Sequence, residues 1–220
     1  MSDLDSGLWL GLDTSTGVSA GVGRAGEVLA TGAVDQPNAH VEQLMPLVRR
    51  VVAEAGERLD DLAGIVVGLG PGPYTGLRVG IVTAQALAYL LDVPLKGVCS
   101  LDVLGLQYAA RRPRGPYLVA TDARRREVYW ATYGADGRRS DGPHVSRPAE
   151  LPVLPVVGPG ALRYPDLPGG VADGGLRLDA GVLAAHQHRL RRAGTEPLYL
   201  RRPDAEVPTS SKSALPRRDS

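Results

Sequence analysis

Phenylalanine is absent from this 220-residue chain, and cysteine occurs once, at Cys99. A single cysteine excludes an internal disulfide and any zinc site built from cysteine pairs. Cys99 ends an apolar stretch, 95–99, and so reads as a small buried hydrophobe more readily than as a nucleophile. Neither sign of charge is in surplus: 25 Lys and Arg face 24 Asp and Glu. No whole-molecule field therefore draws in nucleic acid or a membrane, although local basic clusters still can. No apolar run approaches the roughly 20 residues that cross a bilayer. No cationic segment leads into an apolar one at the N-terminus. A cytoplasmic protein with no membrane partner is expected. Histidine is scarce too, with four copies. His40 has Leu44 four residues on, where a helical metal pair would need a second histidine. His186 and His188 are two apart and would diverge on a helix. No nucleophile–base pair stands out, so no catalytic residue, metal ligand or cofactor is assigned.

Glycine and proline are abundant, 28 and 18 residues, and are spread along the chain as many short connections. Residues 8–12 read as a strand, and Asp13-Thr14-Ser15-Thr16-Gly17 as a tight turn. Val18, Ala20 and Val22 alternate with smaller residues in a second strand, and 27–34 form a third. Apolar residues at helical spacing predict a helix over 41–55, with Pro46 inside it as a source of a kink. Residues 65–69 read as a strand buried on both faces. A Gly/Pro loop, 70–76, then opens a helix over 77–91 that is apolar nearly all round. A strand at 94–99 follows, and Ser100 is placed to cap a helix over 101–110.

After a Pro/Arg linker at 111–116 the opening pattern returns. Residues 117–121 read as a strand, 122–126 as a turn and 127–133 as an alternating strand, so that Asp122 falls where Asp13 fell. The chain therefore divides into a first lobe, 1–110, and a smaller second lobe, 111–202. The second lobe is sparser, with a strand at 153–157 and a helix over 178–192. Residues 203–220 are polar, without apolar periodicity, and are expected to be a disordered tail.

Two segments could carry chemistry. The hydroxyls and amides of Thr14 and Ser15 could cradle a phosphate, and Asp13 could hold a hydrated metal ion. The same residues also form ordinary Asx and Ser/Thr turns. The loop Gly70-Pro71-Gly72-Pro73-Tyr74-Thr75-Gly76 precedes a helix N-terminus, where an anion can sit, yet its prolines remove amide donors. It is neither a Walker loop nor a dinucleotide fingerprint. Arg124-Arg125-Arg126 is a basic hairpin tip, read as a solvated turn with RNA contact as the second reading.

Several motifs taken in order resemble the bacterial TsaB (YeaZ) family. They are Leu10-Gly11-Leu12-Asp13-Thr14-Ser15, then Ala39-His40-Val41-Glu42-Gln43-Leu44-Met45-Pro46, then Gly70 to Gly80. Asp122-Ala123-Arg124-Arg125-Arg126-Glu127-Val128-Tyr129 and Pro197-Leu198-Tyr199-Leu200-Arg201 fit as well. Pro73-Tyr74 stands where the family usually has Ser-Phe, and Val41 where it often has Ser. The resemblance implies an α/β, actin-like (ASKHA, ribonuclease H-like) two-lobed fold with a reduced second lobe. It also implies a non-catalytic subunit that binds and activates the TsaD transferase. That enzyme makes threonylcarbamoyladenosine in tRNAs reading codons that start with A, and a TsaE-like ATPase joins through the complex. The pairing surface is expected on the first lobe, at Leu44, Met45, Val48, Arg78, Val82, Gln85 and Tyr89. An ATP-binding enzyme of the same fold, with Asp13, Thr14 and Ser15 at its nucleotide, is the alternative, and a glycoprotease is a weaker one. Homodimerisation and direct tRNA contact are left open.

Overall fold

The computed structural model describes residues 6–34, 40–164 and 166–201, so the tail expected at 203–220 lies outside the described residues. The frame is a pair of five-stranded sheets. In the first, β1 (Leu8–Asp13), β2 (Val18–Arg24) and β3 (Glu27–Val34) form an antiparallel meander. β4 (Leu62–Gly68) and β5 (Leu95–Val98) join in parallel, giving the order β3-β2-β1-β4-β5. Parallel neighbours need crossovers, and α1 (His40–Glu54) and α2 (Tyr74–Leu91) supply them. α1 runs on through Pro46.

The helix α3 (Ser100–Ala109) leads into the second sheet. There β6 (Tyr117–Asp122), β7 (Val128–Tyr133) and β8 (Arg139–Ser146) form a second meander, joined by β9 (Val156–Val157) and β10 (Val171–Asp173). Read from its third strand, the order is β8-β7-β6-β9-β10, the same plan as the first sheet. Its crossovers are short. The counterpart of α1 is the 3-10 turn Pro148–Glu150, and that of α2 is the five-residue α4 (Pro159–Arg163). The fold is a duplicated actin-like one with a reduced second lobe.

Strand alternation decides which face each layer covers. Leu8, Leu10, Leu12, Val18, Ala20 and Val22 point outward, into a core closed by Leu47 and Val51 of α1 and by Leu77, Ile81 and Ala84 of α2. The intervening glycines point inward, beneath α5 (Ala180–Ala185). A Cβ on Gly11 would stand 2.1 Å from the Ala180 carbonyl oxygen, and one on Gly21 2.4 Å from the Gly181 nitrogen. Sheet and helix therefore meet backbone to backbone. Between the sheets, Trp9, Val66, Leu101, Leu104, Tyr117, Tyr133 and Leu183 form a second core.

Two local expectations are corrected. The helix expected over 178–192 is the six-residue α5 followed by a 3-10 turn, Gln187–Arg189. Asp179 caps its start, with Oδ1 accepting from the Gly181 and Val182 N–H groups. Its end is set by Gly26, whose N–H donates to the Ala185 carbonyl at 2.9 Å and takes the acceptor that residue 189 would have used. Ser100 does not cap α3. Cys99 occupies the cap position, and the Ser100 hydroxyl is engaged elsewhere.

Candidate functional site

The turn after β1 is enclosed by its neighbours. Asp13 is 1% exposed, with Thr14 and Ser15 nearly as buried. Asp13 Oδ1 accepts from the Ser15 N–H at 2.8 Å and from the Ser15 hydroxyl at 2.6 Å. Asp13 Oδ2 accepts from the Ser100 hydroxyl at 2.5 Å. Ser100 Oγ in turn accepts from the Gly70 N–H at 3.0 Å, and the Ser100 N–H donates to the Gly70 carbonyl. One network thus joins the β1 turn, the Gly/Pro loop and the start of α3. Three glycines let these segments close. A Cβ on Gly68 would stand 1.7 Å from Asp13 Oδ2, one on Gly80 2.3 Å from Thr14 Oγ1, and one on Gly72 2.7 Å from the Ser15 carbonyl. A side chain at any of these three positions would collide with the Asp13–Ser15 turn.

Burial pushes the Asp13 carboxyl up from the ordinary range, against the hydrogen bonds from Ser100 and Ser15, which pull it down. A raised native pKa means that folding favours the protonated form. That stabilisation is complete below the unfolded value, about 4, and is lost as pH rises through the native value. Asp13→Asn carries no charge at any pH. Its stability relative to the wild type is therefore expected to improve as pH rises from about 4, in urea unfolding at a series of pH values. A variant that loses ground with rising pH would show an ionised Asp13 held by its hydrogen bonds.

The expected partner residues separate into two groups. Leu44 and Val48 are 1% and 0% exposed, inside the first core, so they present nothing to a partner. The broad apolar arc of α1 is a core-facing arc. Met45 is half-buried against that core. Arg78 and Gln85 are exposed, as are Val82 at 59% and Tyr89 at 87%. All four lie on one side of α2, at spacings of four, three and four residues. Leu90, 76% exposed, widens this stripe. Among the described residues, no group of three or more His, Cys, Asp or Glu could hold a metal ion, and no helix is long and apolar enough to cross a membrane.

Sequence reasoning missed a buried polar group between the sheets. Asp102 on α3 receives the Tyr133 hydroxyl at 2.9 Å and the Arg139 guanidinium at 3.0 Å. Burial raises the Asp102 carboxyl and Arg139 lowers it, while burial pushes the Cys99 thiol up to about 12. Such a thiol is inert at neutral pH. The spacing of Asp102 on an apolar helix gave one signal, but its partners lie 31 and 37 residues away. The C-terminal motif, 197–201, was read for its resemblance but not for its contacts. Tyr199 stacks on Tyr74 with ring centroids 4.8 Å apart, Arg78 lies 4.7 Å over the Tyr74 ring, and the Leu198 N–H donates to the Leu69 carbonyl.

This geometry defines a two-lobed, actin-like protein whose β1 turn is enclosed by its neighbours and whose first-lobe helix exposes Val82, Tyr89 and Leu90 beside Arg78 and Gln85. Residues 35–165 match the family described as TsaD, tRNA N6-adenosine threonylcarbamoyltransferase. An uncharacterised protein of Mycobacterium tuberculosis is 42% identical over 214 residues, 94% of this chain and 97% of that one. The Escherichia coli tRNA threonylcarbamoyladenosine biosynthesis protein TsaB is 36% identical over 100 residues, 46% of this chain and 43% of that protein. The solved structure of YeaZ from Pseudomonas aeruginosa superposes with a TM-score of 0.73 at 27% identity, over 88% of this chain and all of that one. The chain belongs to the TsaB (YeaZ) family, within the broader group that the TsaD description covers.

Proposed function

We propose that this chain is a non-catalytic subunit that binds and activates a TsaD-type threonylcarbamoyltransferase in tRNA N6-threonylcarbamoyladenosine formation. The observation that carries this reading is the stripe on α2 in which the exposed hydrophobics Val82, Tyr89 and Leu90 lie beside Arg78 and Gln85, on an otherwise core-forming helix. Exposed apolar patches of this kind mark interaction sites. In this reading a helix of the partner subunit packs on the stripe and buries it around Val82 and Tyr89 as anchors. The enclosed Asp13 turn supports the absence of chemistry of its own. The Asp13 carboxyl is buried and already accepts three hydrogen bonds, from the Ser15 N–H and hydroxyl and from the Ser100 hydroxyl. In this reading the TsaE-like ATPase joins through the complex, in the cytoplasm, and no cofactor resides on this chain.

The test is co-elution of the full chain with a TsaD-type subunit on size exclusion, beside an ATP-hydrolysis assay of the chain alone. Co-elution and no turnover are expected. Robust turnover by the isolated chain, abolished by Asp13→Ala, would instead establish an ATP-binding enzyme.

A further inference from the structure

The β6–β7 turn holds three consecutive non-glycine residues in the left-handed region: Arg124 at φ 59°, Arg125 at 51° and Arg126 at 61°. L-residues adopt this conformation at a cost, which glycine avoids. All three side chains are exposed, so burial does not compensate. Contacts on every side hold the backbone there. Asp122 Oδ1 accepts from the Arg124 N–H at 3.0 Å. The Glu127 N–H donates to the Arg124 carbonyl and the Ala123 N–H to the Glu127 carbonyl, both at 2.9 Å. Two distant segments brace the turn. Arg163 lies 3.3 Å from Asp122, beside the Tyr164 hydroxyl, and Arg201 donates to the Ala123 carbonyl at 3.0 Å while pairing with Glu127. Strain that surrounding structure enforces gathers at functional sites.

The braced turn holds three consecutive arginines at the surface. The turn and its braces carry five arginines and two carboxylates, Asp122 and Glu127, which Arg163 and Arg201 engage. Guanidinium forks match phosphate oxygens in geometry as well as charge. The position also suits an RNA bound by the partner. Tyr199, two residues before Arg201, stacks on Tyr74 at the first turn of α2, so about 7 Å of chain joins the residue that braces the tip to one that packs on the helix carrying the partner stripe.

We infer that the β6–β7 turn is a phosphodiester-binding tip that contacts tRNA beside the transferase. The inference rests on the proposed function for its choice of RNA over an acidic protein. The test uses the full chain and an unmodified tRNA transcript, read by fluorescence anisotropy over a salt series. Replacing Arg124, Arg125 and Arg126 together by Ala is expected to weaken binding at least ~10-fold at low salt. The slope of log K against log salt should fall by about 2, since each phosphate contact contributes roughly 0.7–0.9. The triple Lys variant should keep the salt slope. The triple Gly variant should lose RNA binding as Ala does while its melting temperature does not fall, because glycine tolerates the left-handed turn. No such pairing of effects follows from a purely structural role. Polyglutamate serves as the acidic-protein probe.

An unchanged affinity and slope in the Ala and Gly variants overturns the tip, as does a wild type that fails to bind tRNA at low salt. Loss confined to polyglutamate overturns it in favour of a protein partner. Co-elution with the TsaD-type subunit is measured on the same variants. If the wild type does not co-elute, the proposed function fails, and the tRNA series still decides the tip.

Discussion

Val82→Glu and Leu44→Glu are expected to fail in opposite ways. Val82 is 59% exposed on α2, so a carboxylate there is hydrated and the chain stays folded. The same carboxylate lands in the middle of the proposed interface, between Arg78 and Tyr89. Truncating or charging a central anchor typically costs about 2 kcal/mol or more of binding, which is roughly 30-fold in affinity. The variant should show a wild-type circular dichroism spectrum and melting curve and no co-elution with the TsaD-type subunit. Leu44 is 1% exposed among Leu47, Val48 and Leu77. A glutamate there loses the apolar contacts of leucine, on the order of 2–5 kcal/mol, and adds the cost of burying a polar or charged group without a partner. Set against a total stability of about 5–15 kcal/mol, that leaves the chain largely unfolded, with binding lost only as a consequence. A folded Val82→Glu that still co-elutes would place the interface elsewhere. A folded Leu44→Glu would mean that α1 does not pack as described.

The Leu44 and Val48 correction shows where sequence reading stops. Both residues sit on an apolar arc that is wide for one packed face, and a wide arc looks the same whether its edge meets a sheet or a partner. Only the position of β2 and β3 beneath α1 decides between them, and no pattern within α1 itself records it. β1 and β6 were legible as short apolar runs and β2 and β7 by their alternation, and all four lie in the interior, covered on both faces. The duplication was legible from Asp13 and Asp122, and it holds as a common strand order. β8 was not legible. Its sequence, Arg139 to Ser146, is polar and contains Gly142-Pro143, and it lies at the sheet edge, where neither face needs an apolar period. At the candidate site the turn residues were read, but their enclosure was not. Ser100 lies 87 residues from Asp13, and nothing local marks its hydroxyl as a donor to that carboxylate.

The small residues of β2 were read only as the blank half of an alternation, yet the structure makes them, with Gly11 of β1, the seat of α5. Gly11→Ala is therefore expected to be among the most damaging single-methyl additions to the chain. The added Cβ would stand 2.1 Å from the Ala180 carbonyl oxygen and 3.0 Å from the Ala184 nitrogen, both main-chain atoms. A flexible side chain could swing away from such a contact. Here relief requires α5 to lift from the sheet, carrying with it the Asp179 cap, the Gly26–Ala185 hydrogen bond and the packing of Leu183 and Ala184 between the lobes. Overpacking a core usually costs about 1–3 kcal/mol, and a clash with backbone on a buried helix belongs at the upper end or above it. In a chain of this length each kcal/mol moves the melting temperature by roughly 2–4 °C, so a fall of about 6 °C or more is expected. Gly115→Ala is the control. No atom lies within 4 Å of its Cβ position, and its change should stay within about 0.5 kcal/mol, as for an ordinary surface substitution. If the two variants melt together, the glycine seat does not hold the helix, and the connection between the lobes has to be sought in the Asp102, Tyr133 and Arg139 group instead.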